Sequence, residues 1–164
     1  MKIEKINFIN YNQYKEINKD HFIKVKNSIE KPEFGFWATI NNEDFPNPWG
    51  EFCKDIGISN TKRNIYKIGF NLKPNSKIYI INRRKHLKEL YKKYELKNEY
   101  TAMMNVKSFF DFEKMSEDFD GILLSKRGNE KCHSCFKRPN LYSWHVPSLL
   151  LFNVDCIENQ YLIE

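Results

Sequence analysis

The sequence predicts an α+β domain, on three observations. Short apolar or alternating runs recur along the chain. One segment carries clear helical periodicity. The two kinds of pattern follow each other at irregular intervals, where a doubly wound sheet would alternate them regularly. The chain has 164 residues, 41% of them hydrophobic and 15% aromatic. That is enough apolar volume for a packed core, which excludes disorder as the main state. The length matches a single domain of roughly 100–200 residues, so 1–164 reads as one compact unit. No apolar run approaches the ~18 residues a membrane-spanning helix needs. The first five residues alternate charged and apolar side chains and lack the apolar stretch of a secretory leader. A soluble cytoplasmic protein is expected.

Residues 2–9 alternate and read as a first strand, broken by the polar run Asn10, Tyr11, Asn12 and Gln13. A loosely patterned region follows and closes at Lys31-Pro32-Glu33. Residues 35–40 form a short apolar strand buried on both faces. Residues 41–50 carry Pro46, Pro48 and Gly50 and read as a loop. Trp49, Phe52 and Cys53 at i, i+3 and i+4 predict a short helix over 49–55. Residues 64–72 and 77–82 read as strands on either side of a turn at 73–76. Leu87, Leu90, Tyr91 and Tyr94 make one apolar face of a helix over 84–94, with basic residues around much of the rest. A second short helix is expected over 109–115 with Ser108 as its cap. Residues 120–125 are a strand, 126–140 a long basic turn, and 149–154 the last core strand.

Lys and Arg exceed Asp and Glu by 27 to 21, a net charge of +6. Only five of these cations are Arg, and the chain is crowded with Lys, Asn and Ile. Such residues are what AT-rich codons encode, so much of the charge reads as composition on a solvated surface. Two local clusters, residues 83–93 and 126–138, remain as evidence for an anionic partner. Their members include Arg83, Arg84, Lys88, Lys126, Arg127 and Arg138.

Of the four cysteines, Cys132 and Cys135 form a CxxC in a polar turn, while Cys53 and Cys156 are isolated beside apolar residues. A structural zinc site needs four ligands, usually as two such pairs. The sequence is one pair short, and no metal site is assigned. No phosphate-binding glycine loop, dinucleotide fingerprint, HExxH or GxSxG occurs. Among the four histidines, His145 stands apart. It lies just before the most hydrophobic strand, where a buried strand can fix polar side chains at its mouth. The plainer reading makes Trp144 a core residue and His145 a surface turn residue.

The order of the motifs adds to this. Asn10-Tyr11 ends the first strand. Lys31-Pro32-Glu33-Phe34-Gly35-Phe36-Trp37-Ala38-Thr39 follows, then Trp49-Gly50-Glu51-Phe52-Cys53. Asp120-Gly121-Ile122 and a closing Trp144-His145-Val146-Pro147-Ser148 with its apolar strand complete the series. Across nearly the whole chain this resembles small bacterial and phage proteins of the ADP-ribosyltransferase-like fold. The resemblance implies a split, curved, mainly antiparallel β core gripping NAD. It implies cofactor contacts from Asn10, Tyr11, Phe36, Trp37 and Thr39, and catalytic roles for His145, Ser148 and Asn10. Two departures stand out: Asn10 replaces the family's first-strand His, and 144–152 contains no Asp or Glu where a carboxylate belongs. Two functions are therefore expected as alternatives. One is an NAD-dependent ADP-ribosyltransferase with a variant site, a toxin or phage or defence factor modifying protein or nucleic acid. The other is a catalytically inactive protein of the same fold that binds a nucleotide, a nucleic acid or a partner protein.

Overall fold

A computed structural model describes residues 6–28, 31–41, 48–57, 65–96, 109–133, 139, 141 and 143–163. Seven strands and four helices fall among these: β1 Asn7–Asn12, β2 Phe36–Asn41, α1 Pro48–Asp55, β3 Tyr66–Leu72, β4 Ile78–Ile81, α2 Arg84–Lys93, α3 Phe112–Asp118, β5 Gly121–Leu124, α4 Lys126–Cys132, β6 Ser148–Leu151 and β7 Ile157–Ile163. These strands form one mixed sheet in the order β4-β5-β6-β2-β1-β3-β7. Among them only β4 and β5 pair in parallel, and every other pair is antiparallel. The α+β class is as expected. Among the described residues no helix is long and apolar enough to cross a membrane.

The two faces of the sheet bury different clusters, because strand side chains alternate sides. On β5, Ile122 and Leu124 join the cluster under α2, α3 and α4, with Leu87, Leu90, Tyr94 and Met115. Leu123, between them, joins the opposite cluster of Phe8, Ile68, Phe70, Leu149 and Leu151. Among the described residues that second cluster draws on no α-helix. Tyr94 donates to the carboxylate of Asp118, which also accepts from Lys93 at 2.8 Å, so the end of α2 is tied to the end of α3.

Several elements depart from expectation. The polar run at Asn10 does not end β1, which continues to Asn12 by pairing with β3. Pro48 to Gly50 belong to α1 rather than to a loop, Pro48 taking the first helical position where its missing N–H costs nothing. Phe109 and Phe110 are extended, Phe110 bridging to Glu95, and α3 begins only at Phe112. Its cap is Asp111, which accepts from the Lys114 amide at 3.0 Å. Lys126–Cys132 of the basic turn after β5 is helix: Ser125 caps α4 by accepting from the Gly128 amide at 3.0 Å. The last apolar strand stops at Leu151, Val154 lies in a 3-10 turn, and a further strand, β7, follows on the sheet edge. Residues 2–5, Pro46, Asn64, Ser108, Cys135, Arg138 and Asn140 lie outside the described residues.

The backbone is irregular at two places. Phe34 and Gly35, just before β2, both adopt left-handed backbone, at φ 61° and 77°. A side chain at Gly35 would also meet Leu150 at 2.7 Å. On β7 the pairing with β3 shifts register between Gly69 and Asn71, and Asn159 sits at φ 50°. This bulge re-aims the next side chain. Gln160 reaches back to accept from the Ile17 amide at 2.7 Å.

Candidate functional site

The β1–β2 ladder stops at Ile9 opposite Thr39. Beyond that point β1 keeps pairing with β3, and β2 keeps pairing with β6 as far as Phe36 opposite Leu151. The two strands therefore part company, and the sheet forks. Asn10, the first residue past the fork on β1, spans it with its side chain: Nδ2 donates to the Trp37 carbonyl at 2.8 Å.

A cleft of about 540 Å³ opens at this fork. It is lined by Asn10, Tyr11, Phe36, Trp37, Thr39, His145 and Ser148. All seven site residues named from the sequence thus come to one place, although they span positions 10 to 148. Phe36 and Trp37 point to opposite faces as strand neighbours must. Phe36 packs edge-on against Phe70 on one side, and Trp37 against Trp144 at 4.7 Å on the other.

The two hydroxyls hold the closing turn in place. Thr39 and Ser148 are paired across β2 and β6. Thr39 Oγ1 donates to the Pro147 carbonyl at 3.0 Å, and Ser148 Oγ to the Val146 carbonyl at 2.7 Å. Both protons are committed to backbone, so these residues position the turn that carries His145. This geometry gives Ser148 no activated proton for nucleophilic attack.

His145 is exposed, as the plainer reading expected, and Trp144 is buried. The imidazole nevertheless faces the cleft and lies flat on Phe52 of α1, with ring centroids 4.9 Å apart and planes 10° from parallel. Loss of water from that stacked face pushes its pKa below the usual histidine value, and the nearby His133 and Lys31 push it the same way. His145 is therefore neutral near pH 7, able to take a proton or to give a hydrogen bond.

Tyr11 is set differently. Burial raises its pKa to about 12, with Cys53 and Glu51 of α1 adding to the shift. The Gly50 amide partly offsets this but falls short of hydrogen-bond geometry, leaving the buried hydroxyl without a partner. Ser143 Oγ and Trp144 Nε1, from the opposite side of the fork, are buried and unpartnered in the same way. Three orphaned polar atoms on the lining of one cleft fit a ligand with hydrogen-bonding edges, since buried polar groups otherwise find partners.

The chain matches no protein-family model, no curated protein and no solved structure.

Other residues that the sequence nominated lie elsewhere. Asp120, of the Asp-Gly pair, is a structural staple: Oδ2 accepts from the Lys77 amide at 2.8 Å and Oδ1 from Asn153 at 2.9 Å. Arg83, Arg84, Lys88, Lys126 and Arg127 sit on or beside α2 and α4 and do not line the cleft. Cys132 is fully buried in the helix-side core. Among the described residues no three His, Cys, Asp or Glu side chains gather as metal ligands. Sequence reasoning missed Tyr14, His21, Lys31 and Phe34, all of which line the cleft. Tyr14 and His21 pack together at 5.6 Å. For Tyr14 and His21 the signal was weak, because the loosely patterned 13–31 region has no periodicity to orient its side chains, while Lys31 and Phe34 stand in the 31–39 motif run without an assigned role.

Proposed function

We propose that the cleft binds NAD and that the protein is an ADP-ribosyltransferase-like enzyme with a variant active site. The observation that carries this reading is the fork between β1 and β2, with all seven resemblance-named residues lining the cleft it opens. A split sheet is what the family's β core requires. The cluster of Phe8, Phe70, Leu149 and Leu151 is covered by Ile17, Val154 and Cys156 from connecting segments, so among the described residues this sheet face is closed without an α-helix.

The lining suits the ligand. Trp37, half-buried and backed by Trp144, offers aromatic surface to a planar ring. Lys31 supplies the cation for a pyrophosphate and the neutral His145 a hydrogen bond, and no Asp or Glu among the described lining residues opposes them. NAD would supply an electrophilic ribose carbon, where the bond to nicotinamide breaks with its electron pair as the bond to the acceptor forms. Asn10, held by Trp37, orients the nucleotide through its amide. His145 takes the proton that the acceptor's nucleophile loses. In this scheme the protein is a toxin or a phage or defence factor.

One observation favours a second reading. The absence of any carboxylate among the described lining residues removes the usual support for a cation-like ribose in the transition state. A protein that holds a nucleotide without turning it over also fits. Calorimetric titration with NAD, followed by transfer of labelled ADP-ribose, separates the two. Binding that weakens in Asn10→Ala, with transfer lost in His145→Ala, is the expected result. Binding without transfer selects the second reading, and no binding overturns both.

A further inference from the structure

Seven large apolar side chains stand exposed among the described residues: Tyr14, Ile23, Phe34, Trp49, Ile56, Tyr161 and Leu162. Scattered singly, such residues need no explanation. Four of the seven, however, line the same cleft: Tyr14, Ile23, Phe34 and Trp49. Three of these are aromatic, and each comes from a different segment of chain. Concentration of exposed aromatic surface at one opening marks a binding site.

Phe34 is unusual in a second respect. Its backbone lies at φ 61°, a conformation that costs a bulky residue free energy. The strain is not repaid by burial, since the side chain is 48% exposed. A glycine would relieve the strain, yet the chain places a phenyl ring there, at the mouth of the cleft.

Charge near these rings is mixed, since Glu33 adjoins Phe34 and Glu51 follows Trp49 by two residues on α1, but it is one-sided on the described cleft lining itself. The described residues of the cleft lining include Lys31 and no carboxylate. Lys24 and Lys26, on the segment leading to Phe34, are exposed. None of these three lysines makes an ion pair with another described residue. Flat rings and exposed lysines are the chemistry that recognises unpaired bases joined by phosphates, where stacking tolerates any base and lysines follow the backbone. A duplex hides its base faces and offers only the phosphates.

We propose that the mouth of the cleft is a stacking site for single-stranded nucleic acid, with Tyr14, Phe34 and Trp49 as platforms and Lys24, Lys26 and Lys31 along the phosphates. This names the acceptor class in the transferase reading and rests on that reading for the chemistry, but not for the binding itself.

The test is fluorescence anisotropy with end-labelled single-stranded oligonucleotides, DNA and RNA, against a duplex of the same sequence. Single strands should bind about tenfold more tightly than duplex, with affinity falling as salt rises. Phe34→Gly and Tyr14→Ala should each weaken binding by roughly fivefold or more. Phe34→Gly suits the left-handed backbone, and an unchanged melting temperature shows that its loss of binding is not a loss of fold. NAD titration run on the same proteins keeps the two ideas apart. Asn10→Ala should lose NAD and keep the oligonucleotide. Ring-dependent oligonucleotide binding in a protein that ignores NAD upholds this proposal and removes the transferase. The proposal falls if single strands do not bind, if duplex binds equally well, or if the ring variants lose NAD and leave the oligonucleotide untouched.

Discussion

Asn10 does with a side chain what the ladder does elsewhere with backbone. One residue past the last β1–β2 pair, its amide keeps the two strands in reach of each other while they diverge. His145 is held as specifically, by Phe52 beneath its ring and by Thr39 and Ser148 gripping the turn after it. Its lowered pKa has a consequence for stability. The unfolded chain binds a proton at His145 near pH 6.5, whereas the folded protein resists protonation until the pH is lower. This contribution is fully present above about pH 6.5 and is lost as pH falls through that value toward the folded pKa. His145→Phe keeps the stack on Phe52 and removes the titration. Thermal melts from about pH 7 to about pH 5 should therefore fall less steeply for the variant than for the wild type.

The helices show how close an element can sit to its neighbour. The start of α4 rests on the end of β4: the Ile81 carbonyl accepts from both the Ser125 amide and the Ser125 hydroxyl. A methyl group at Gly128 would lie 1.9 Å from that same oxygen. In an ordinary helix interior Gly→Ala stabilises by about 1 kcal/mol. Here the sign should reverse, with Gly128→Ala costing about 1–3 kcal/mol in denaturant unfolding as α4 is forced off the sheet. This contact also explains why α4 was illegible in the sequence. Lys126 to Cys132 buries only Gly128 and Cys132, so it has no apolar stripe to read. β7 was missed for a related reason: as an edge strand it exposes Glu158, Asn159, Gln160, Tyr161 and Leu162, and shows no alternation. The start of α3 was misplaced because Phe109 and Phe110 are apolar but pair with the chain after α2, while Asp111 is the true cap. Elements with strong periodicity, α2 above all, were read nearly to the residue.

At the scale of the whole molecule, the site is made by topology. The sheet order β6-β2-β1-β3 sets the first two strands of the chain beside the last apolar strand, so residues 10, 39 and 145 converge. The sequence carried those residues as an ordered set of motifs, and the set was legible. The cleft's outer rim was not, because Tyr14, His21, Lys31 and Phe34 lie outside the strands and α-helices, on segments whose path depends on distant contacts. Asn27 shows how distant: its side chain and amide hold Asp111, Glu113 and the Glu113 amide at the start of α3, at 2.8 to 3.1 Å.

The bulge on β7 reaches furthest. By turning Gln160 onto the Ile17 amide it fastens the loop that carries Tyr14 to a strand 143 positions away. Edge strands open more readily than the centre of a sheet, so local fraying of β7 should be felt at the rim of the cleft. The Ile17 amide is then a reporter of both. In Gln160→Ala its hydrogen exchange should quicken by roughly fivefold, the worth of one hydrogen bond of about 1 kcal/mol. An unchanged rate would show that the loop holds itself. In the native protein, the mouth of the cleft is latched from the far edge of the sheet.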